Sequence, residues 1–252
     1  SSPGNMIYMN GILFFAPNVA GLLQELWKSD GTDAGTVLVK DIHPTGNGKP
    51  GSFTEVNGVL FFVASNASSG RELWKSDGTE AGTVLVKDIN PGTASSSAAL
   101  LTNVDGVLFF IASDGTNGVE LWKSDGTSAG TTLVKDIKPG SASSSPTDLV
   151  AANGTLYLAA DNGTDGREIW QSDGSPAGTF QVQDLNLGAA GSSPADIEPA
   201  CSAVLFAAQE PSFARELWGL PQSLAPGATH DLGVAKDVGA VQLSWTTPLP
   251  SS

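Results

Sequence analysis

The sequence predicts an all-β protein, a five-bladed β-propeller of four-stranded antiparallel blades, and three observations predict it. Five tryptophans, Trp27, Trp74, Trp122, Trp170 and Trp218, recur with spacings of 47, 48, 48 and 48 residues, each inside a near-copy of Glu-Leu-Trp-Lys-Ser-Asp-Gly-Thr. A period of that length marks a supersecondary unit that buries its apolar face only by packing on copies of itself. Within each unit, short apolar runs rich in Phe, Val and Leu alternate with Gly-bounded turns, which is strand patterning. Finally, the two ends of the chain are complementary, so that a strand over residues 5–9 is expected to complete the last blade and remove exposed sheet edges.

The units begin near residues 10, 57, 105, 153 and, in degenerate form, 201. The first four open on Asn-Gly or Asp-Gly, and all five continue into an apolar run, Ile12–Ala16, Val59–Ala64, Val107–Ala112, Thr155–Ala160 and Val204–Ala208. These runs read as strands buried on both faces and are expected to form the innermost layer. A variable loop leads into the Glu-Leu-Trp strand, where alternation puts Glu72 and Trp74 on one face and Leu73 and Lys75 on the other. A turn of Asp-Gly-Thr-x-Ala-Gly-Thr follows, then a β-branched third strand such as Val84–Ile89. The fourth strand of each unit is expected over Phe53–Val56, Ala99–Val104, Asp148–Ala151 and Asp196–Pro199. In the last unit a third strand is expected over Leu232–Val238, with Val241–Trp245 a rival to residues 5–9 for the fourth. The propeller thus occupies residues 1–238, and 239–252 form a tail or the start of a truncated following domain.

Composition narrows the function classes. The 252 residues carry a net charge of −14 and a pI near 4.3, which disfavours nucleic acid and anionic membrane surfaces as partners. Nothing in the sequence is apolar for the roughly 18 or more residues of a membrane span. A single cysteine, Cys201, and two histidines, His43 and His230, at non-equivalent repeat positions leave little material for a zinc or histidine-based centre. The start, Ser-Ser-Pro-Gly-Asn, reads as that of a processed or excised chain.

Candidate sites lie in the repeats and their loops. The tryptophans are assigned a structural role at blade interfaces, since they sit mid-strand between apolar neighbours. The carboxylates Glu25, Glu72, Glu120, Glu168 and Glu216, and Asp41, Asp88, Asp136, Asp184 and Asp237, recur in every unit. They are expected to accept from loop amides or to pair with Lys40, Lys87, Lys135 and Lys236, because a catalytic pair is singular while these repeat. Asp30, Asp77, Asp125 and Asp173 in the Asp-Gly-Thr or Asp-Gly-Ser turns combine turn chemistry with candidate ligand contact. For a cation, calcium is the possible cofactor, and Asp161 and Asp165 in Asp-Asn-Gly-Thr-Asp-Gly are the candidate metal residues, with Asp114-Gly115-Thr116-Asn117-Gly118 a weaker relative.

The repeated motif, intact at Glu25–Thr32, Glu72–Thr79 and Glu120–Thr127 and softened at Glu168–Ser175, resembles the bacterial Glu-Leu-Trp-x-x-Asp-Gly-Thr repeat family of myxobacteria and relatives. That resemblance implies a secreted or cell-surface protein and carries no catalytic residues. The Gly-x-Glu-Leu-Trp-Lys segment is also similar to the tryptophan-docking repeat of quinoprotein propellers, and Val241–Pro248 resembles the opening of a fibronectin type III domain. The expected function is a non-enzymatic binding, adhesion or assembly module with protein or glycan partners at the cell surface. A lectin with repeated loop sites is the alternative, by analogy of architecture with five-bladed animal lectins.

Overall fold

In the computed structural model every Asn-Gly or Asp-Gly that opens a unit is a two-residue hairpin turn. Asn10 and Gly11 have φ of 52° and 82°, Asn57 and Gly58 52° and 80°, Asp105 and Gly106 46° and 86°, and Asn153 and Gly154 47° and 75°. Two successive left-handed residues match the right-handed twist of the strands they join, and Asn, Asp and Gly tolerate that conformation best. The structure describes residues 3–17, 23–200, 203–211, 213–221, 235–237 and 240–242. Contacts divide the chain into two units, residues 1–146 with 174–176, and residues 147–173 with 177–252.

The first unit holds three four-stranded antiparallel sheets. Strands β1 (Pro3–Met9), β2 (Ile12–Pro17), β3 (Leu26–Ser29) and β4 (Val37–Lys40) form one. Strands β5 (Gly51–Val56), β6 (Val59–Asn66), β7 (Gly70–Ser76) and β8 (Val84–Lys87) form the next. The third consists of β9 (Ala99–Val104), β10 (Val107–Ala112), β11 (Glu120–Ser124) and β12 (Thr132–Lys135). In the second unit β13 (Thr147–Ala152), β14 (Thr155–Asp161), β15 (Arg167–Ser172) and β16 (Phe180–Gln183) make a fourth sheet of the same order, while β17 (Ala195–Ala200), β18 (Ala203–Glu210) and β19 (Phe213–Pro221) make a three-stranded one. No helix occurs among the described residues, and none is long and apolar enough to cross a membrane.

These pairings correct the expected phase of the unit. The segments read as fourth strands belong to the sheets that follow them: Val56 pairs with Val59 across Asn57-Gly58, and Val104 with Val107 across Asp105-Gly106. By the same hairpin, the strand expected to complete the last blade pairs with its own neighbour, Met9 with Ile12, and opens the first sheet. The apolar run is therefore the second strand of its sheet. Leu60, Phe61, Phe62, Val63 and Ala64 are at most 3% exposed because β6 has a hydrogen-bonded neighbour on each side and a packed sheet face above and below. The strands that lie beside each other from one sheet to the next are the more polar first ones, β1 with β5, β5 with β9, and β13 with β17. At the chain's end, β20 (Ala235–Asp237) pairs only with β21 (Ala240–Gln242), so the expected third strand of the fifth unit is a hairpin arm where it is described. The rest of Leu232–Val238 and of Val241–Trp245 lies outside the described residues.

Packing between sheets carries the core. Trp74 groups with Phe14, Leu26 and Val39 of the first sheet, with Ile42 just after it, and with Leu60 and Phe62 of its own sheet. Trp122 groups in the same way with Phe61, Val63, Leu73 and Val86 of the second sheet and Leu108 and Phe110 of the third. In the second unit Trp218 packs with Tyr157, Ile169 and Phe206. A single sheet leaves its indole half covered, and the neighbouring sheet completes the burial.

Candidate functional site

The Ser-Asp-Gly-Thr turns form a closed set of local bonds. Asp77 Oδ1 accepts from Thr79 N at 2.8 Å and Thr79 Oγ1 at 2.7 Å. Thr79 Oγ1 in turn accepts from Gly82 N at 2.9 Å, and Thr83 Oγ1 donates to Thr79 O at 2.6 Å. Ser76 Oγ accepts from Gly78 N at 2.9 Å and sits 2.7 Å from Thr83 Oγ1. Asp30 and Asp125 make the equivalent bonds to Thr32 and Thr127. The motif's last glycine is there for space: a Cβ on Gly82 would stand 2.1 Å from Asp77 Oδ1, and one on Gly178 2.1 Å from Asp173 Oδ1. Hydrogen bonds from Thr32, Thr79 and Thr127 hold Asp30, Asp77 and Asp125 below the usual carboxylate range.

The turns at Gly78, Gly126 and Gly174 also pack on an aromatic ring and a lysine stem or carbonyl-bonded lysine of an earlier repeat, which gives the motif's Lys28 a role. Lys28 Nζ donates to Gly78 O at 2.7 Å, and the Phe14 ring lies 3.1 Å from where a Gly78 Cβ would be. Phe61 stands under Gly126 and Phe109 under Gly174 in the same way. The third-strand lysines, offered as the alternative to loop amides as partners of the carboxylates, donate to turn carbonyls: Lys40 Nζ to Glu80 O, Lys87 Nζ to Thr131 O and Lys135 Nζ to Pro176 O. All four candidate ligand aspartates, Asp30, Asp77, Asp125 and Asp173, are exposed. Asp125 borders a cleft of about 100 Å³ with Phe61, Lys75 and Asn57.

Four of the five Glu-Leu-Trp glutamates, Glu25, Glu72, Glu120 and Glu168, are buried and tie down the loop that follows their sheet, while Glu216 is half-buried. Glu120 accepts from Ile137 N at 3.0 Å on one oxygen and Ser144 N at 2.7 Å on the other, with Ser144 Oγ at 2.6 Å. Glu25 accepts from Ile42 N and Gly48 N, each at 2.7 Å, and Glu72 from Ile89 N at 3.1 Å and Ser96 N at 2.8 Å. Glu168 repeats the pattern with Leu185 and Ser192. Burial raises all four carboxyls and outweighs these bonds. The third-strand aspartates accept from glycine amides, Asp88 Oδ2 from Gly92 N and Asp136 Oδ2 from Gly140 N, each at 3.1 Å. Their second oxygens, Oδ1 of Asp88, Asp136 and Asp184, are buried without a protein partner, the arrangement that ordered water satisfies.

The candidate metal loop is also locally bonded. Asp161 Oδ1 accepts from Gly163 N at 2.6 Å, Asn162 Oδ1 from Thr164 N and Asp165 N at 2.9 Å each, and Asp165 Oδ2 from Asn162 Nδ2 at 2.7 Å. In the related loop burial opposes ionisation of Asp114, yet four bonds from Thr116 and Asn117 outweigh it and lower its pKa to about 2. Among the described residues no three His, Cys, Asp or Glu side chains converge as a metal site.

One cavity, of about 480 Å³, was not legible from the motifs. It lies in the first unit and is lined by Asn5, Gln24, Lys49, Ser65, Arg71 and Ser95, with Ala16 and Pro50. The signal available in the sequence was departure from the repeat: Lys49 stands where the later units have Ser97, Ser145 and Ser193.

No family model and no curated protein matches the sequence. Solved structures do. A prolyl endopeptidase matches with a TM-score of 0.54 at 12% identity over 88% of this chain and 33% of its own. Prolyl oligopeptidase B from Galerina marginata matches at 0.52 and 10% identity over 88% and 31%, and puromycin hydrolase at 0.51 and 13% over 88% and 37%. The chain therefore spans about a third of the length of these structures, and at such identity the likeness concerns fold. Repeated antiparallel four-stranded sheets and these neighbours together define an all-β fold of the propeller type.

Proposed function

We propose that the chain is a five-bladed propeller that acts as a non-enzymatic binding or assembly module in a secreted or cell-surface protein of the Glu-Leu-Trp-x-x-Asp-Gly-Thr repeat type. The observation that carries this reading is the equivalence of its polar groups. The repeated glutamates are bonded to loop amides and the turn aspartates to their own turns, so the side chains that could do acid–base chemistry are used alike from unit to unit. A catalytic centre needs one asymmetric constellation. What varies between units is the loop between second and third strands and the pocket side chains, which is where a binding module places specificity. The likeness to peptidases and a hydrolase supports the architecture; on this reading the chain would supply a recognition surface beside whatever else its protein contains. Labelling intact cells with an antibody to this chain, with and without surface proteolysis, tests the placement. Signal that appears only after permeabilisation would overturn it.

A lectin is the second reading, favoured by the polar pocket of the first unit, and calcium would be its candidate ion at Asp161 and Asp165. A glycan array run with and without calcium tests it; no sugar retained under either condition removes it.

A further inference from the structure

The guanidinium of Arg71 differs from its equivalent two units later in what surrounds it. Arg167, at the same repeat position, lies near Asp148 and Asp161, whose charges favour its ionised form. Shifted back by two repeats of 48 residues, those aspartates correspond to Ser52 and Ser65. Burial lowers the pKa of Arg71, and no neighbouring carboxylate offsets it. The second repeat adds a cation besides, since Lys49 replaces the serine found at positions 97, 145 and 193. Where Arg167 of the fourth sheet has Asp148 and Asp161 near it, Arg71 has serines at the equivalent positions and shares its pocket with a second basic residue, Lys49, in a chain with 12 basic and 26 acidic residues.

The two cations line a formed pocket of about 480 Å³. Arg71 is held by its Nη1, which donates to Lys49 O at 2.7 Å, while its backbone N donates to Ser95 Oγ at 3.1 Å. Lys49 is fixed by a left-handed backbone, φ 47°, and by its N–H, which donates to Gln24 O at 3.0 Å. Gly51 keeps the corner between donors open: a Cβ there would stand 2.8 Å from Asn5 Nδ2 and 3.6 Å from Arg71 Nη2. The remaining polar lining, Gln24, Ser65 and Ser95, is neutral and can both donate and accept.

We infer that this pocket binds a small hydroxylated carboxylate, such as a uronic acid unit, with Arg71 and Lys49 on the carboxylate and Asn5, Gln24, Ser65 and Ser95 on the hydroxyls. A planar guanidinium with a free edge pairs with a carboxylate through two parallel bonds, and the volume suits one or two sugar rings rather than an extended polymer. The assignment deepens the binding-module reading and rests on it.

Calorimetric titration of the whole chain with D-glucuronate, D-glucose, an N-acetylated dipeptide and inorganic phosphate tests it. Glucuronate should bind saturably and at least about tenfold more tightly than the other three, with Arg71→Gln costing about tenfold or more. Ser65→Asp, which installs the residue that the fourth sheet carries at position 161, should remove binding while the melting temperature is kept. Arg167→Gln should leave binding unchanged. No saturable glucuronate binding, equal binding of glucose, tighter binding of phosphate or dipeptide, or indifference to Ser65→Asp overturns the assignment. Failure here with the chain still labelled on intact cells removes the pocket and keeps the module; binding by a chain found only inside the cell does the reverse.

Discussion

Leu100 holds φ at 54° on a first strand, and its equivalents Ser52, Asp148 and Asp196 do the same at 56°, 53° and 54°. Each sits in a β-bulge, where the register shifts, as between Thr147 and Val150. Left-handed backbone costs an L-residue about 1–2 kcal/mol, less for Asp and Asn than for Leu. Leu100 is 41% exposed and so returns little packing for that strain. Leu100→Asn should raise stability by about 1 kcal/mol, read as a higher urea midpoint, whereas Leu100→Ala should give no gain; equal effects would mean that side-chain exposure rather than backbone strain is being measured. Glu120 makes the opposite case, a residue whose loss leaves Ile137 N–H and Ser144 N–H without acceptors in a dry site. Glu120→Ala should cost about 2–5 kcal/mol, and a loss under about 1 kcal/mol in the same urea assay would show that water reaches those amides.

The Ser-Asp-Gly-Thr turn is the element in which sequence and structure correspond most closely, and it can be tested as a unit. Gly82→Ala introduces no unfavourable φ but pushes on the Asp77 carboxylate, so its harm should act through Asp77. Each single change, Gly82→Ala and Asp77→Ala, should lower the melting temperature, and the double variant should lie no lower than Asp77→Ala alone; additive losses would show that the two residues act separately. This turn was legible because Asp, Gly and Thr at fixed offsets carry their own local chemistry. The strands were legible too, as apolar runs between glycines. Their grouping was not, because Asn57-Gly58 can be read as the end of one unit or as the hairpin inside one, and only the φ values and the Val56 to Val59 pairing decide between them. Lys87 was legible only as one of two alternative partners for the repeated carboxylates, while the carbonyl of Thr131 that it bonds lies 44 residues on and leaves no mark in the local pattern. Arg71 and Lys49 were missed for a related reason: their meaning comes from the acids absent at positions 52 and 65, a comparison that requires knowing which residues converge in space.

Over the whole molecule, two classes of acid bias stability in opposite directions with pH. Burial raises Glu25, Glu72, Glu120 and Glu168 above their ordinary value of 4.5. The folded state therefore prefers them protonated, and the stability they contribute is full below about pH 4.5 and is lost as pH rises through their raised values. Asp30, Asp77, Asp114 and Asp125 are lowered from 3.8; their contribution is present above that value and is lost as pH falls, for Asp114 through about 2. The net charge of −14 at pH 7 adds self-repulsion that acidification relieves. The three effects agree on a stability maximum near pH 4–5, on the acid side of the range of about 5–8 usual for globular proteins. Melting temperatures taken at constant ionic strength should peak there and decline toward neutrality, and Glu120→Gln, which titrates nothing, should be less stable at the peak but decline less on the alkaline side. A wild-type curve flat from about pH 4.5 to 8 would mean that the buried glutamates keep enough solvent or hydrogen bonding to ionise without cost, and the loop amides of Ile42, Ile89 and Ile137 would then be held by carboxylates throughout.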